Sequence, residues 1–510
     1  MDVATRVVRN TGFLYVRIII NIFISLFSTR IVLNVLGVED FGIYNVIGGV
    51  IGMLTFLNSA MTEATQRFMS HAQGEGNIQK QKSIFNVSVI LHLAVAIFFL
   101  LALEIAGYFL FDRVLEIPAE RLNVAKMVYQ FMIVGTFFTI LKVPFDAVIN
   151  AHENMLFVAI LGIVLSFLKL GIAIYISYTN FDALTLYGLL MAVSYILLMM
   201  FTMAYCLREY EEAKLNFRLI PDIKLLKEMG SFAGWSLLNH SAWIITIQGT
   251  SIILNSFFGV VVNAAQGIAN QITNQLRDFS ITMQKALNPV IVKSEGENNR
   301  GHMLSTALIG SKFSFFILSF MSIPVLIEMP YILDLWLKDV PDFAVVFCRL
   351  NLIRMPVSTL TSTFYVAIGA IGNIKQTAIW ESFISICVLP ISYLMFKAGM
   401  SPSTIYIILL LVAIARSGGR VYFLHQNGGL SIRHFIINVV FRCLGVFIIA
   451  FSISSIPLFL KEPSFLRLII VLFVSAISFI IPVLVFGLDT NERRLVGKVL
   501  SNFLNRRNKV

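Results

Sequence analysis

Apolar stretches longer than the roughly 18–20 residues that cross a bilayer recur from one end of this chain to the other. Inside hydrocarbon no water can bond the backbone, so each such stretch must satisfy its own N–H and C=O groups as a helix. A water-soluble alternative would need a charged shell. Only 13% of the 510 residues are charged, 57% are hydrophobic and mean hydropathy is +0.83, whereas soluble domains run near 25% charged. The chain reads as an all-α integral membrane protein. The net charge of +11 would suggest a nucleic-acid partner in a soluble protein. Here it reads as basic cytoplasmic loops, with membrane lipids and no nucleic acid as partners.

About fourteen spans are predicted, near 12–36, 42–66, 84–111, 120–146, 154–178, 183–206, 230–258, 261–290, 303–328, 342–370, 376–397, 403–424, 435–457 and 465–487. The first is too long for the apolar core of a signal peptide. With the N-terminus inside, the outer loops hold only Arg113, Lys338, Lys397 and Lys461, while the inner loops and the tail take the other loop cations, Arg67, Lys80, Arg416 and Arg420 among them. Basic residues mark the cytoplasmic side, so both termini are expected in the cytoplasm. The expected domains are 1–206, a first bundle of six helices; 207–229, a polar linker; 230–424, a second bundle; 425–487, two further spans; and 488–510, a basic tail.

An internal repeat supports two bundles. Ile31-Val32-Leu33-Asn34 recurs as Ile252-Ile253-Leu254-Asn255, and Gly37, Met61 and Gly74-Glu75 recur as Gly259, Met283 and Gly296-Glu297. Six spans separate the copies, so both have one orientation. This predicts two parallel six-helix bundles with two helices appended.

Polar groups at bilayer depth cost roughly 2.5–3.5 kcal/mol each for charged side chains, so they face protein or a hydrated cavity. In the eighth span Asn263, Gln266, Asn270, Asn274, Arg277, Gln284 and Asn288 share one stripe at 100° per residue. Interhelical glue is the plain alternative to a central cavity. In the first span Arg17, Asn21, Ser25 and Ser28 share a face, with Arg30 further out, and snorkelling is the plain alternative for Arg17. Arg354 and Lys169 fall near mid-depth, where Glu63, Glu104, Asp278 or Glu381 are available as ion-pair partners. Basic groups outnumber acids at depth, so a cavity there should hold an anion. The candidate binding residues are Arg17, Asn21, Arg30, Lys169, Asn270, Asn274, Arg277 and Arg354. Cys206, Cys348, Cys387 and Cys443 read as core residues, and the scattered histidines as structural. The sequence has no phosphate-loop motif and no metal-ligand spacing; no catalytic residue, metal or cofactor is expected, and a coupling ion, Na⁺ or H⁺, is left open.

The segments Asn10–Arg17, Ser28–Asn45 and Ala64–Phe68, above all the Leu36-Gly37-x-x-x-Phe41-Gly42-x-Tyr44 turn, resemble the polysaccharide biosynthesis (Wzx-type) oligosaccharide flippases. These belong to the multidrug/oligosaccharidyl-lipid/polysaccharide superfamily, together with the multidrug and toxin extruders. The resemblance implies a MATE-like pair of six-helix bundles around a central cavity, often followed by two more helices, and no enzyme activity. It implies flipping of a polyprenyl-pyrophosphate-linked oligosaccharide, an O-antigen, capsule or exopolysaccharide unit, across a bacterial inner membrane. A polysaccharide polymerase and glycosyltransferases would be protein partners. The alternative is a Na⁺- or H⁺-coupled multidrug extruder of the same fold.

Overall fold

The computed structural model describes residues 3–53, 55–113, 117–214, 222–337, 340–490 and 492–494. Lys338, part of the linker (215–221) and the basic tail from 495 onward lie outside them. The described residues are helical, without a strand. In chain order the elements are α1 (Val3–Met53), α2 (Thr55–Glu75), α3 (Ile78–Arg113), α4 (Leu122–Ala151), α5 (Met155–Ile176), α6 (Ala183–Glu209), α7 (Ile223–Gly296), α8 (Arg300–Ile327), α9 (Met329–Trp336), α10 (Ala344–Thr359), α11 (Ser362–Ile371), α12 (Ile374–Lys397) and α13 (Thr404–Gly428). The last spans follow as α14 (Ile432–Phe435), α15 (Phe441–Ser454), α16 (Ile456–Leu460) and α17 (Phe465–Pro482), with one π-helical stretch between α14 and α15 and another after α17.

Among the described residues, eleven helices are long and apolar enough to cross a bilayer, which makes this a multi-pass membrane protein. The three predicted spans below that mark are 42–66, 261–290 and 342–370. The first carries Glu63, the second the polar stripe, and the third is interrupted between α10 and α11. Those helices cannot show all their faces to lipid. The interruption follows Pro356, whose ring displaces a backbone bond. Neighbouring hydroxyls bond carbonyls at the break itself: Ser311 donates to the Leu360 carbonyl and Ser417 to that of Val357 (3.3 Å).

Glycine makes the two sharpest reversals. Gly37 divides α1 and Gly259 divides α7, at φ 73° and 79° with ψ 175° and −174°, a region open in practice only to glycine. They lie 222 positions apart. Gly76 and Asn298, also 222 apart, share positive φ (67° and 56°), and so do Glu153 and Gly372, 219 apart (56° and 100°). The sequence repeat is therefore a repeat of backbone conformation, in which α3, α4, α5 and α6 correspond to α8, α10–α11, α12 and α13.

Contacts divide the chain into an N-terminal unit, Asn10–His240 with Gly296–Asn298, and a C-terminal unit, Ser241–Glu295 and the chain from Asn299 onward, to which Met1–Arg9 is also assigned. The division falls inside α7 rather than in the 207–229 linker. The first turns of α7 pack on α2: Phe232 meets Phe68 edge-on at 6.1 Å, the Arg67 guanidinium lies 4.5 Å and 5.4 Å from the two rings, and Ser236 donates to Glu63 at 2.9 Å.

In the N-terminal unit the connectors gather at two ends. At one, Arg121 bonds Asp40 (2.8 Å) and Asp182 (2.6 Å). Arg121, inside the predicted fourth span 120–146, precedes α4 and joins three connectors. At the other end Lys82 pairs with Glu211 at 2.6 Å and His152 with Glu212 at 2.5 Å. In the C-terminal unit the last two spans pack into one core with α8, through Phe315, Phe316, Cys443, Val446, Val471 and Phe479. Two buried ion pairs reinforce this packing. Arg467 clasps Glu328 with two bonds of 2.8 Å, and Lys312 bonds Glu492 at 2.9 and 2.7 Å. These helices belong to the C-terminal unit and are not a loose appendage.

Candidate functional site

The C-terminal unit contains a cavity of two adjoining lobes, about 220 Å³ and about 210 Å³. Trp243, Thr246, Arg277, Arg354, Ser358 and Leu409 line both. One lobe continues between α12 and α13 to Ser385, Arg416 and Arg420. The other is rich in amides, with Gln266, Asn270, Asn274 and Asn351. The second half of α7 thus turns most of its predicted stripe into this cavity. Asn263 does not take part: it accepts a 2.6 Å bond from Ser251 on the first half of α7.

Four guanidinium groups face one carboxylate here. Glu381 is fully buried. It takes a 2.5 Å bond from Arg416 and bonds of 2.6 and 2.9 Å from Arg420. The predicted partner for a mid-depth cation is therefore real, but it serves Arg416 and Arg420 rather than Arg354 or Lys169. Arg354 donates twice to the side-chain oxygen of Asn351, at 3.0 and 2.6 Å, and Asn351 in turn donates to Thr273 at 3.0 Å. Among the described residues neither Arg354 nor Arg277 has a carboxylate partner. Trp243 packs against two of the cations, its ring centroid 6.0 Å from the Arg354 guanidinium and 5.6 Å from that of Arg416.

Several lining groups are buried with bonding capacity unused: the Gln266 side-chain oxygen, the Tyr406 and Ser385 hydroxyls and the Arg416 Nε. An unsatisfied buried polar group costs roughly 1–3 kcal/mol, which a polar occupant would relieve. Cations, unfilled donors and an aromatic face can hold an anion that also bears hydroxyl groups.

The eight candidate residues separate. Asn270, Asn274, Arg277 and Arg354 line this cavity. In the N-terminal unit, Arg17 and Asn21 form a seam with α5. Arg17 donates to the Val158 carbonyl at 3.5 Å, and Asn21 accepts from Ser166 at 2.8 Å. Two turns earlier Asn10 donates to the Glu153 carbonyl at 2.9 Å. Gly162 makes room for this seam, since a Cβ there would lie 2.5 Å from the Arg17 Cδ. Arg30 is exposed and Lys169 half-buried, neither with a hydrogen-bonded partner among the described residues. A cavity in this unit, lined among the described residues by uncharged side chains, contains none of the four.

Arg416, Arg420 and Trp243 were missed. The two arginines read as loop cations because they stand near the end of a predicted span. Their i, i+4 spacing on a helix, opposite an acid in the preceding span, was the available signal.

Residues 14–175 match the MatE family model. The uncharacterized membrane protein EpsK of Bacillus subtilis (strain 168) is 31% identical over 105 residues, which is 20% of this chain and 20% of EpsK. An outward-facing multidrug resistance MATE family transporter of the MOP superfamily aligns with TM-score 0.71 at 15% identity, covering 84% of this chain and 97% of that one. A MOP superfamily transporter from Pyrococcus furiosus Vc1, described as having a binding pocket of reversed polarity, aligns with TM-score 0.68 at 16% identity, covering 84% and 96%. The chain has the MATE fold.

Proposed function

We propose that this chain, MATE-folded and matched to the MatE family over residues 14–175, is a transporter that flips a polyprenyl-pyrophosphate-linked oligosaccharide from the inner to the outer leaflet of a bacterial inner membrane. Neither EpsK nor the structural relatives supply that substrate; the C-terminal cavity supports it. The observation that carries the reading is the excess of guanidinium over carboxylate, with Arg277 and Arg354 left without a counter-ion. A pyrophosphate diester is doubly charged and cannot enter hydrocarbon unaided. Arginine forks match phosphate oxygens two bonds at a time, so Arg277 and Arg354 receive it. The amides of Asn270, Asn274 and Gln266 bond sugar hydroxyls. The lipid tail stays in the bilayer, and transport is alternating exposure of the site to the two leaflets. Both termini are cytoplasmic in this reading, and no bond is made or broken.

A multidrug extruder is the second reading, favoured by the multidrug transporter among the structural relatives. The cavity's positive balance disfavours the cationic compounds such a protein would expel. Proteoliposomes carrying wild type, Arg277→Ala or Arg354→Ala separate the two. Translocation of lipid-linked oligosaccharide by the wild type, lost in both folded variants, supports the flippase. Expulsion of cationic dye along a Na⁺ or H⁺ gradient, with no movement of the glycolipid, establishes the extruder instead.

A further inference from the structure

The N-terminal unit has a cavity of its own, about 310 Å³, between α1, the start of α2, α3, α4 and α6. It is the repeat image of the arginine cavity. On α1, Tyr44 and Gly48 stand 222 positions before Gln266 and Asn270 of α7. On α4, Met132 and Thr136 stand 222 positions before Arg354 and Ser358 of α10. On α6, Met191 and Tyr195 stand 221 positions before Val412 and Arg416 of α13. These offsets agree with those between the paired glycine reversals, so the match rests on backbone as well as on lining.

What differs is chemistry. Each arginine of these pairs is replaced: Met132 stands for Arg354 and Tyr195 for Arg416. Tyr44 stands for an amide, and Phe99 and Phe131 add two further rings. Among the described residues no charged side chain lines the space. It is not purely apolar either. The Asn58 side-chain oxygen is buried there with no hydrogen-bond partner, and the Tyr195 hydroxyl makes no hydrogen bond among the described residues. An anion would find no counter-charge, and a bare hydrocarbon chain would leave Asn58 unbonded. Aromatic faces edged with hydroxyl and amide groups suit a ring that is apolar on its faces and bears hydroxyls at its rim.

We propose that this cavity is a second binding site, selective for an uncharged sugar ring of the transported glycan. The assignment rests on the flippase reading for the identity of the glycan, but not on the arginine cavity. Gly48 offers a way to close the site: a Cβ there would meet only the Met132 Cε, at 3.9 Å, so Gly48→Leu fills the cavity from open space. Tyr195→Phe keeps the shape and removes one hydroxyl.

The test uses the full chain in nanodiscs and two probes. One is the water-soluble oligosaccharide released by mild acid from the lipid carrier of cells that make the protein; the other is sugar-free polyprenyl pyrophosphate. Saturation-transfer NMR should show oligosaccharide binding to wild type and to Arg354→Ala, weakened at least tenfold by Gly48→Leu and several-fold by Tyr195→Phe. Polyprenyl pyrophosphate should bind wild type and Gly48→Leu alike and Arg354→Ala poorly. The sugar site is overturned if wild type binds no oligosaccharide, if Gly48→Leu leaves that binding unchanged, or if Gly48→Leu weakens the sugar-free lipid instead, which would make this a tail site. Unchanged binding of the sugar-free lipid to Arg354→Ala would sink the anion site of the flippase reading and leave the sugar site standing.

Discussion

Arg354 is aimed by Asn351, which takes two of its N–H bonds and is itself held by Thr273. Hydrogen bonds to charged groups contribute about 1.5–3 kcal/mol each. In the flippase reading, Asn351→Ala should therefore lower the melting temperature and also raise KM for the glycolipid about tenfold, as read from thermal unfolding and proteoliposome kinetics. Glu381 acts on stability alone. It neutralises two buried guanidinium groups, and breaking a buried ion pair from one side costs about 3–5 kcal/mol. Glu381→Gln should lower the melting temperature sharply, and adding Arg416→Met should restore part of the loss. If both variants melt like wild type, Glu381 is not the structural counter-ion assigned here. The Arg17 seam tests a third role. Arg17→Met should unsettle α1 against α5 while leaving anion binding intact; a selective loss of anion affinity at unchanged stability would move Arg17 back into a binding site.

Elements meet where one residue satisfies a geometry no other choice can. Gly259, at φ 79° and ψ −174°, is such a place. Gly259→Ala should cost about 1–3 kcal/mol of backbone strain and reduce the yield of monodisperse protein on size exclusion; an unaltered elution and melting profile would show that the reversal relaxes without glycine. At the connectors, Asp182 caps α6 by accepting from Thr185 at 2.8 Å and also pairs with Arg121. Burial pushes its carboxyl upward, but the bonds from Thr185 and the Arg121 guanidinium outweigh this and hold it below the usual carboxylate range. A carboxylate whose folded pKa is depressed stabilises above its unfolded value, about 4, and that stabilisation is lost as pH falls through the lower folded value. Melting temperature should drop as pH falls below about 4, and Asp182→Asn should flatten that part of the profile.

For the whole molecule, the last two spans decide whether the C-terminal unit stands. Removing residues 431–510 would strip apolar cover from Phe315 and Phe316 and leave Lys312 and Glu328 as buried, unpaired charges. The truncated chain should not give folded protein in detergent, whereas Glu492→Gln, which removes one charge, should fold with a lowered melting temperature. A stable, active truncation would show the two helices to be dispensable. The same scale explains the two cavities. One helical frame stands twice in the chain, and differences at a few lining positions give one copy arginines and the other aromatic rings.

The sequence by itself determined the membrane class, the positions of the helices and the repeat. Hydrocarbon leaves the backbone no other way to bond itself, and glycine at Gly37 and Gly259 marks reversals that backbone sterics reserve for it. It also marked Asn270, Asn274 and Arg277, because polar groups on one face of a membrane helix must meet something other than lipid, and Arg354, because its charge falls near mid-depth. Only the tertiary structure decided which polar groups share a space. Arg17 and Asn21 are as periodic as the residues of α7, yet they are consumed by α5; Arg416 and Arg420 look like loop cations, yet they reach Glu381 and the cavity. Periodicity fixes the face of a helix a residue occupies. What stands opposite that face is set by packing between helices distant in sequence, and a single strand of text does not carry it.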